Sequence, residues 1–155
     1  LYTIPATALH AASLMANWIR SEVPHPLLIG PDEESGQWVS DIAGRIGAPW
    51  TTFRKERRGD RSVELTAPEL SPWTRLQPVL VDDIASSGRT LIKAASMLPT
   101  LGFPPPVCIV VHPIFANDSF RELTAVTSRL VSTDAIAHPS NEISVAPLIA
   151  AYLSS

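Results

Sequence analysis

The chain has 155 residues, a formal net charge of −3 and 45% hydrophobic residues, which is enough for one domain around a single core. That charge gives no general electrostatic case for nucleic acid or a membrane surface, and no apolar run reaches the eighteen or so residues of a membrane span. A single cysteine, Cys108, excludes an intrachain disulfide framework and makes cytoplasmic residence the default expectation.

The elements follow one another with clear punctuation. Ala8 or Leu9, Ala12, Met15 or Ala16, and Ile19 recur at helical spacing, so residues 6–20 read as an amphipathic helix. PLLIG, residues 26–30, is a short apolar run closed by Gly and Pro, hence a buried strand. A helix follows over SGQWVSDIAGRIG, with Ser35 as N-cap and Gly47 as C-terminal stop. WTTF is a strand candidate. RKERRGDR packs five basic residues into eight positions without an apolar side chain, which predicts an exposed loop. SVEL is a candidate edge strand, PVLVDD the clearest strand of the chain, and RTLIKAASML a helix. VCIVV is a further buried strand, FRELTAV a short helix, RLVST a strand and PLIAAYL a closing helix. This alternation predicts an α/β fold, a parallel sheet of about five strands with helices on both faces. Ligands of such sheets bind beyond the carboxyl ends of the strands.

PVLVDDIASSGRTL carries the strongest chemical signal. Asp82 and Asp83 end the strand, and the small loop from Ser86 to Thr90 leads into a helix. Backbone N–H groups at such a helix start point outward and favour an anion. Gly88 tolerates the dihedrals of an anion nest, and Ser86, Ser87 and Thr90 add hydroxyl donors. The carboxylates need a different partner, and paired sugar hydroxyls suit them. Phosphate at one end and a vicinal diol at the other describe ribose 5-phosphate. An isolated DDxxSSG reads more simply as a turn with a Ser cap, but here strand, helix and hydroxyl set agree.

VLVDDIASSGRT resembles the phosphoribosyl diphosphate signature of type I phosphoribosyltransferases and of ribose-phosphate diphosphokinases. Three further stretches favour the second group. LIGPDEESGQWVSDIA is similar to its pyrophosphate loop, FRKERRGDR to its flexible catalytic loop, and STDAIAHPSNEISVAPLIAAYL to its closing segment. The resemblance implies the type I phosphoribosyltransferase-like (Rossmann-like) fold. It also implies transfer of a diphosphoryl group from ATP to ribose 5-phosphate, giving phosphoribosyl diphosphate and AMP. On that basis Lys55 and Arg57 are the catalytic pair of the Lys-x-Arg pattern. Asp82, Asp83, Ser86, Ser87, Gly88, Arg89 and Thr90 form the ribose 5-phosphate site, and Asp32 is a ligand of Mg²⁺.

The family has two tandem domains. Residues 1–155 resemble the second, so an upstream domain of the same fold is an expected partner, in a dimer or larger homo-oligomer. The start at Leu1 rather than Met reads as that of a proteolytic piece or of the ordered part of a longer protein. The pyrophosphate loop departs from the family's common form: Glu34, Ser35 and Trp38 stand where many members have a Gly-rich turn and then an Arg. Two other readings stand beside the diphosphokinase: a phosphoribosyltransferase that attaches a base, and a non-catalytic regulatory homologue. His10, His25, His112 and His138 are scattered and give no zinc spacing.

Overall fold

The computed structural model describes residues 6–58 and 62–154, with backbone alone for residues 57, 58, 62 and 63. In chain order the helices are α1 (Ala12–Glu22), α2 (Gly36–Ile46), α3 (Arg89–Thr100), α4 (Ser119–Ala125) and α5 (Ala146–Leu153). The strands are β1 (Pro26–Gly30), β2 (Trp50–Thr52), β3 (Arg54–Arg58), β4 (Ser62–Thr66), β5 (Gln77–Ala85), β6 (Val107–Pro113), β7 (Arg129–Thr133) and β8 (Asn141–Ile143). Six strands form one parallel sheet in the order β2-β1-β5-β6-β7-β8.

The sheet has a core on each face because alternate strand residues point to opposite sides. Leu28, Val79, Val81, Ile109 and Val111 pack with Met15, Ile19, Val39 and Ile42 from α1 and α2. Leu27, Ile29, Leu80, Cys108 and Val110 pack with Leu91, Ala94, Leu98 and Leu123 from α3 and α4. The near-continuous apolar runs of β1, β5 and β6 are what burial on both faces requires.

Strand order reverses between β1 and β5. After β1 the chain steps outward to β2, then returns to pair β5 with the other side of β1. Such a switch point leaves a crevice beyond the carboxyl ends of the two strands. Asp32 follows β1 and Asp82 to Ala85 finish β5, so both acidic segments stand at this crevice.

Several expectations need correction. The first helix starts at Ala12 rather than near residue 6. Residues 6–10 are all exposed, so their apolar members find no face to bury. RKERRGDR is not simply an exposed loop: its first half is β3, paired antiparallel with β4, with Lys55 opposite Leu65 and Glu56 opposite Glu64. The anchor comes from outside the basic run, in buried Phe53 before it and buried Leu65 across from it. A sixth strand, β8, pairs with β7 through a register shift at Ser132 and Thr133. Ser35 stands at the start of α2 but makes no side-chain cap. Gly47 stops α2 in the left-handed region at φ 69°, as its position predicts.

Candidate functional site

The segment after β1 is folded tightly on itself. Asp32 Oδ1 accepts the N–H groups of Glu34 (3.1 Å) and Ser35 (3.3 Å), capping a short 3₁₀ turn over Glu33–Ser35. Ser35 Oγ donates back to the Asp32 carbonyl at 2.6 Å. Gly30 makes the turn possible: a Cβ there would lie 2.2 Å from Ser35 Oγ and 2.9 Å from Thr52 Cγ2. The second carboxylate oxygen of Asp32 is left facing the crevice, where Lys55 Nζ meets it at 2.5 Å. This hydrogen bond raises the Lys55 pKa above its ordinary value, ahead of the opposing effect of burial. Lys55 therefore keeps its positive charge.

Across the crevice, β5 carries its acids past the point where β1 ends. Asp82 pairs in register with Val110 of β6. Burial, and then the neighbouring Asp83 charge, push the Asp82 carboxyl up to about 7. Adjacent strand residues face opposite sides, so the two acids are not equivalent. Both line a cavity of about 270 Å³ with Asp32, Glu34, Ser35 and Trp38. Only Asp82 also lines the neighbouring hollow of about 150 Å³ with Ile84 and residues Ser86 to Leu91. Asp83 instead borders an apolar cavity of about 430 Å³, walled by Leu9, Trp38, Ile84, Val111 and Ile149.

The loop from Ser86 to Thr90 has the form of an anion cradle. Gly88, at φ 63°, precedes α3 in the left-handed region, and no side chain caps the helix. The cradle is held from behind by residues that the sequence reading did not single out. The Ala85 carbonyl accepts Phe115 N–H at 2.8 Å, and the Ser86 carbonyl accepts Ala116 N–H at 3.0 Å. Ser119 Oγ donates to the same Ser86 carbonyl at 2.8 Å, and Ser119 is only 4% exposed. A trans peptide sets its C=O and N–H in opposite directions. Holding two successive carbonyls toward the β6–α4 segment therefore turns the N–H groups of Ser86 and Ser87 the other way. Phe115 and Asn117 adopt positive φ, 25° and 55°, to make the turn that delivers these donors. Phe115 in turn packs against Phe120 and His138. His138 Nδ1 accepts Ser140 N–H at 3.2 Å, which makes it a structural support rather than a crevice group.

The structure thus gathers Asp32, Lys55, Asp82, Asp83, Ser86, Ser87, Gly88, Arg89 and Thr90 around one switch point. The Arg57 side chain lies outside the described residues. Among the described residues, no group of three or more His, Cys, Asp or Glu side chains could hold a metal ion. No described helix is long and apolar enough to cross a membrane.

Comparison with known proteins agrees with this geometry. Residues 1–123 match the phosphoribosyl transferase domain family. The ribose-phosphate pyrophosphokinase of Methanothermobacter thermautotrophicus is 31% identical over 150 residues, covering 96% of this chain and 52% of the relative. That of Methanosarcina acetivorans is 31% identical over 154 residues, covering 98% of this chain and 54% of the relative. The chain spans about half the length of these curated relatives. Among solved structures, phosphoribosylpyrophosphate synthetase from Mycobacterium smegmatis superposes with a TM-score of 0.73 at 18% identity, covering 93% of this chain and 49% of that one. Orotate phosphoribosyltransferase from Aeropyrum pernix gives 0.55 at 18% identity, covering 94% and 75%. These structural likenesses establish the type I phosphoribosyltransferase fold.

Proposed function

The chain belongs to the phosphoribosyl transferase domain family, and from that premise we propose that it is the ribose 5-phosphate-binding domain of a ribose-phosphate diphosphokinase. The complete protein would transfer a diphosphoryl group from ATP to ribose 5-phosphate, with an upstream domain of the same fold and within a homo-oligomer. The observation that carries this reading is the shared strand end: the Ser86–Thr90 cradle and Asp82 line one hollow, facing Asp32 and Lys55 across the crevice. Relatives that match nearly the whole of this chain bear the name of that activity.

The 5-phosphate sits in the cradle, on backbone N–H groups and the hydroxyls of Ser86, Ser87 and Thr90. Asp82 accepts from the sugar hydroxyls, with Asp83 beside it on the other side of the strand. Lys55 supplies positive charge toward the transferring group, where charge develops as the β-phosphorus passes from AMP to the sugar oxygen. The antiparallel ribbon of β3 and β4 carries Lys55, and exchange of its Asp32 partner for a phosphate oxygen brings that charge to the substrate. Arg57 joins it by the family resemblance.

The donor set suits Mg²⁺ in a limited sense. Asp32 presents one carboxylate oxygen to the crevice, and Mg²⁺ accepts one or two carboxylates together with water and substrate phosphate oxygens. Asp32 would hold the ion in place of Lys55, and the ion would neutralise diphosphate charge.

A specific feature favours one other reading. The apolar cavity beside Asp83 has room for a nucleobase, as a phosphoribosyltransferase requires. The deciding experiment incubates the full-length protein with ATP, Mg²⁺ and ribose 5-phosphate and follows AMP. AMP and phosphoribosyl diphosphate are the expected products. Diphosphate release from phosphoribosyl diphosphate that depends on an added base would move the assignment to the transferase. Tight ribose 5-phosphate binding with no product from either assay would leave a regulatory homologue.

A further inference from the structure

A cavity of about 330 Å³ lies between the β3–β4 ribbon and the first two turns of α3. Its walls are Lys55 and Leu65 from the ribbon and Arg89, Thr90 and Lys93 from the helix. Among the described residues, every charged side chain on this lining is a cation, and no carboxylate contributes to it. Arg89 and Lys93 are four residues apart on one helix face, where like charges repel. They also occupy the amino-terminal turns, where the helix dipole disfavours positive charge. Among the described residues neither has an ion-pair partner, although α3 would gain from one. Leu65 is buried and stands opposite Lys55 in the ribbon, so the Lys55 side chain leaves the ribbon on the same face as Leu65.

From this convergence we infer that the cavity is a second oxyanion site, one that takes a phosphate-class polyanion and is separate from the Ser86–Thr90 cradle. The hollows share only Arg89 and Thr90 of their linings. Lys93 is the charged residue of this lining that takes no part in the crevice or the cradle. An anion bound here offers the Lys55 ammonium a partner other than Asp32. The inference rests on the diphosphokinase reading only for the identity of the sugar phosphate next door.

The test uses inorganic triphosphate as probe, by titration calorimetry without divalent cation, on the full-length protein saturated with ribose 5-phosphate. Triphosphate binds the parent in the presence of the sugar phosphate, and added salt weakens it steeply. Lys93→Ala lowers triphosphate affinity severalfold and Lys93→Glu about tenfold or more, by loss and then reversal of one charge-assisted contact. Ribose 5-phosphate affinity stays within about twofold in both variants, as loss of a charge outside the cradle implies. Unchanged triphosphate affinity in Lys93→Glu overturns the inference, as does strict competition between triphosphate and ribose 5-phosphate for one site. Triphosphate binding that depends on Lys93, in a protein that does not bind ribose 5-phosphate, would sustain the second site while the proposed function fails.

Discussion

The two sides of the crevice are built on opposite principles. On the β5 side, the cradle is held by backbone and buried groups: Phe115 N–H, Ala116 N–H and Ser119 Oγ fix two successive carbonyls without any charge. On the β1 side, the fixed element is the capped turn at Asp32, and Lys55 is joined to it by one ion pair. Neutral hydrogen bonds within packed structure set a geometry in advance of the ligand, whereas a partly exposed ion pair exchanges partners at small net cost. On the proposed function, the rigid side recognises the sugar phosphate and the exchangeable side delivers charge.

The largest effect should come from breaking the exchangeable side. On the proposed function, Lys55→Ala removes a cation that counts most when charge develops on the transferring group. Loss of one such stabilising donor costs about 10²–10³ in kcat. Ribose 5-phosphate affinity should stay near the parent value, because the cradle is built from other elements. Steady-state kinetics beside calorimetry on the full-length protein separate the two quantities. A variant that turns over normally would remove Lys55 from the chemistry.

Much of this contrast is legible in the sequence, though unevenly. The apolar runs of β1, β5 and β6 announce buried strands, and the spacing in α2 and α3 announces helices, because burial imposes a period on the residues themselves. The cradle is legible for the same reason: its parts are contiguous in the chain. Ser119 is not legible. A Ser after Asp118 at a helix start reads as local capping, and nothing in its spacing shows that it bonds a carbonyl 33 residues earlier. The ribbon escapes because β3 contains no apolar residue, and its anchor Leu65 lies on the partner strand. Strand β8 escapes because it is three residues long and is fixed through polar contacts, including Asn141 Nδ2 to the Thr133 carbonyl at 2.6 Å. The DD pair reads as one diol-binding unit in the sequence, but strand alternation gives its members different surroundings.

That asymmetry predicts a pH dependence for the rigid side. Burial raises the Asp82 pKa to about 7, so the folded chain holds a proton that the unfolded chain has already lost. The associated stability is present below the ordinary carboxyl range and is lost as pH rises through about 7. Sugar binding runs the other way, because the ionised carboxylate is the stronger acceptor. From pH 6 to pH 8 the ionised fraction climbs from about a tenth to about nine tenths. Ribose 5-phosphate affinity in the parent, divided by that in Asp82→Asn, should therefore rise by up to about tenfold over this interval. The ratio cancels titration of the ligand phosphate. Calorimetry at intermediate pH values gives the curve, and a flat ratio would show that Asp82 does not meet the sugar.

The smallest effect is the most searching, since it acts through a residue outside the crevice. Ser119→Ala removes one of the two donors to the Ser86 carbonyl and leaves Ala116 N–H in place. A single neutral hydrogen bond contributes about 1 kcal/mol, or about fivefold in an equilibrium constant. If the bond merely stabilises the fold, unfolding in urea shifts by that amount and ligand affinity does not move. If it aims the Ser87 N–H into the cradle, affinity for ribose 5-phosphate and for inorganic phosphate falls together, by about fivefold, because the lost contact is on the phosphate and not on the sugar. Turnover at saturating substrate stays near the parent value, since Lys55 is untouched, so the change appears in KM rather than kcat. Ser119→Thr keeps the hydroxyl and should restore binding, its added methyl group costing some stability in a site where Ser119 is nearly enclosed and Gly88 lies close by. A threonine variant that is as stable as the alanine one yet binds phosphate like the parent would separate aim from stability, and full phosphate affinity in Ser119→Ala would show that the cradle holds its shape without the clamp.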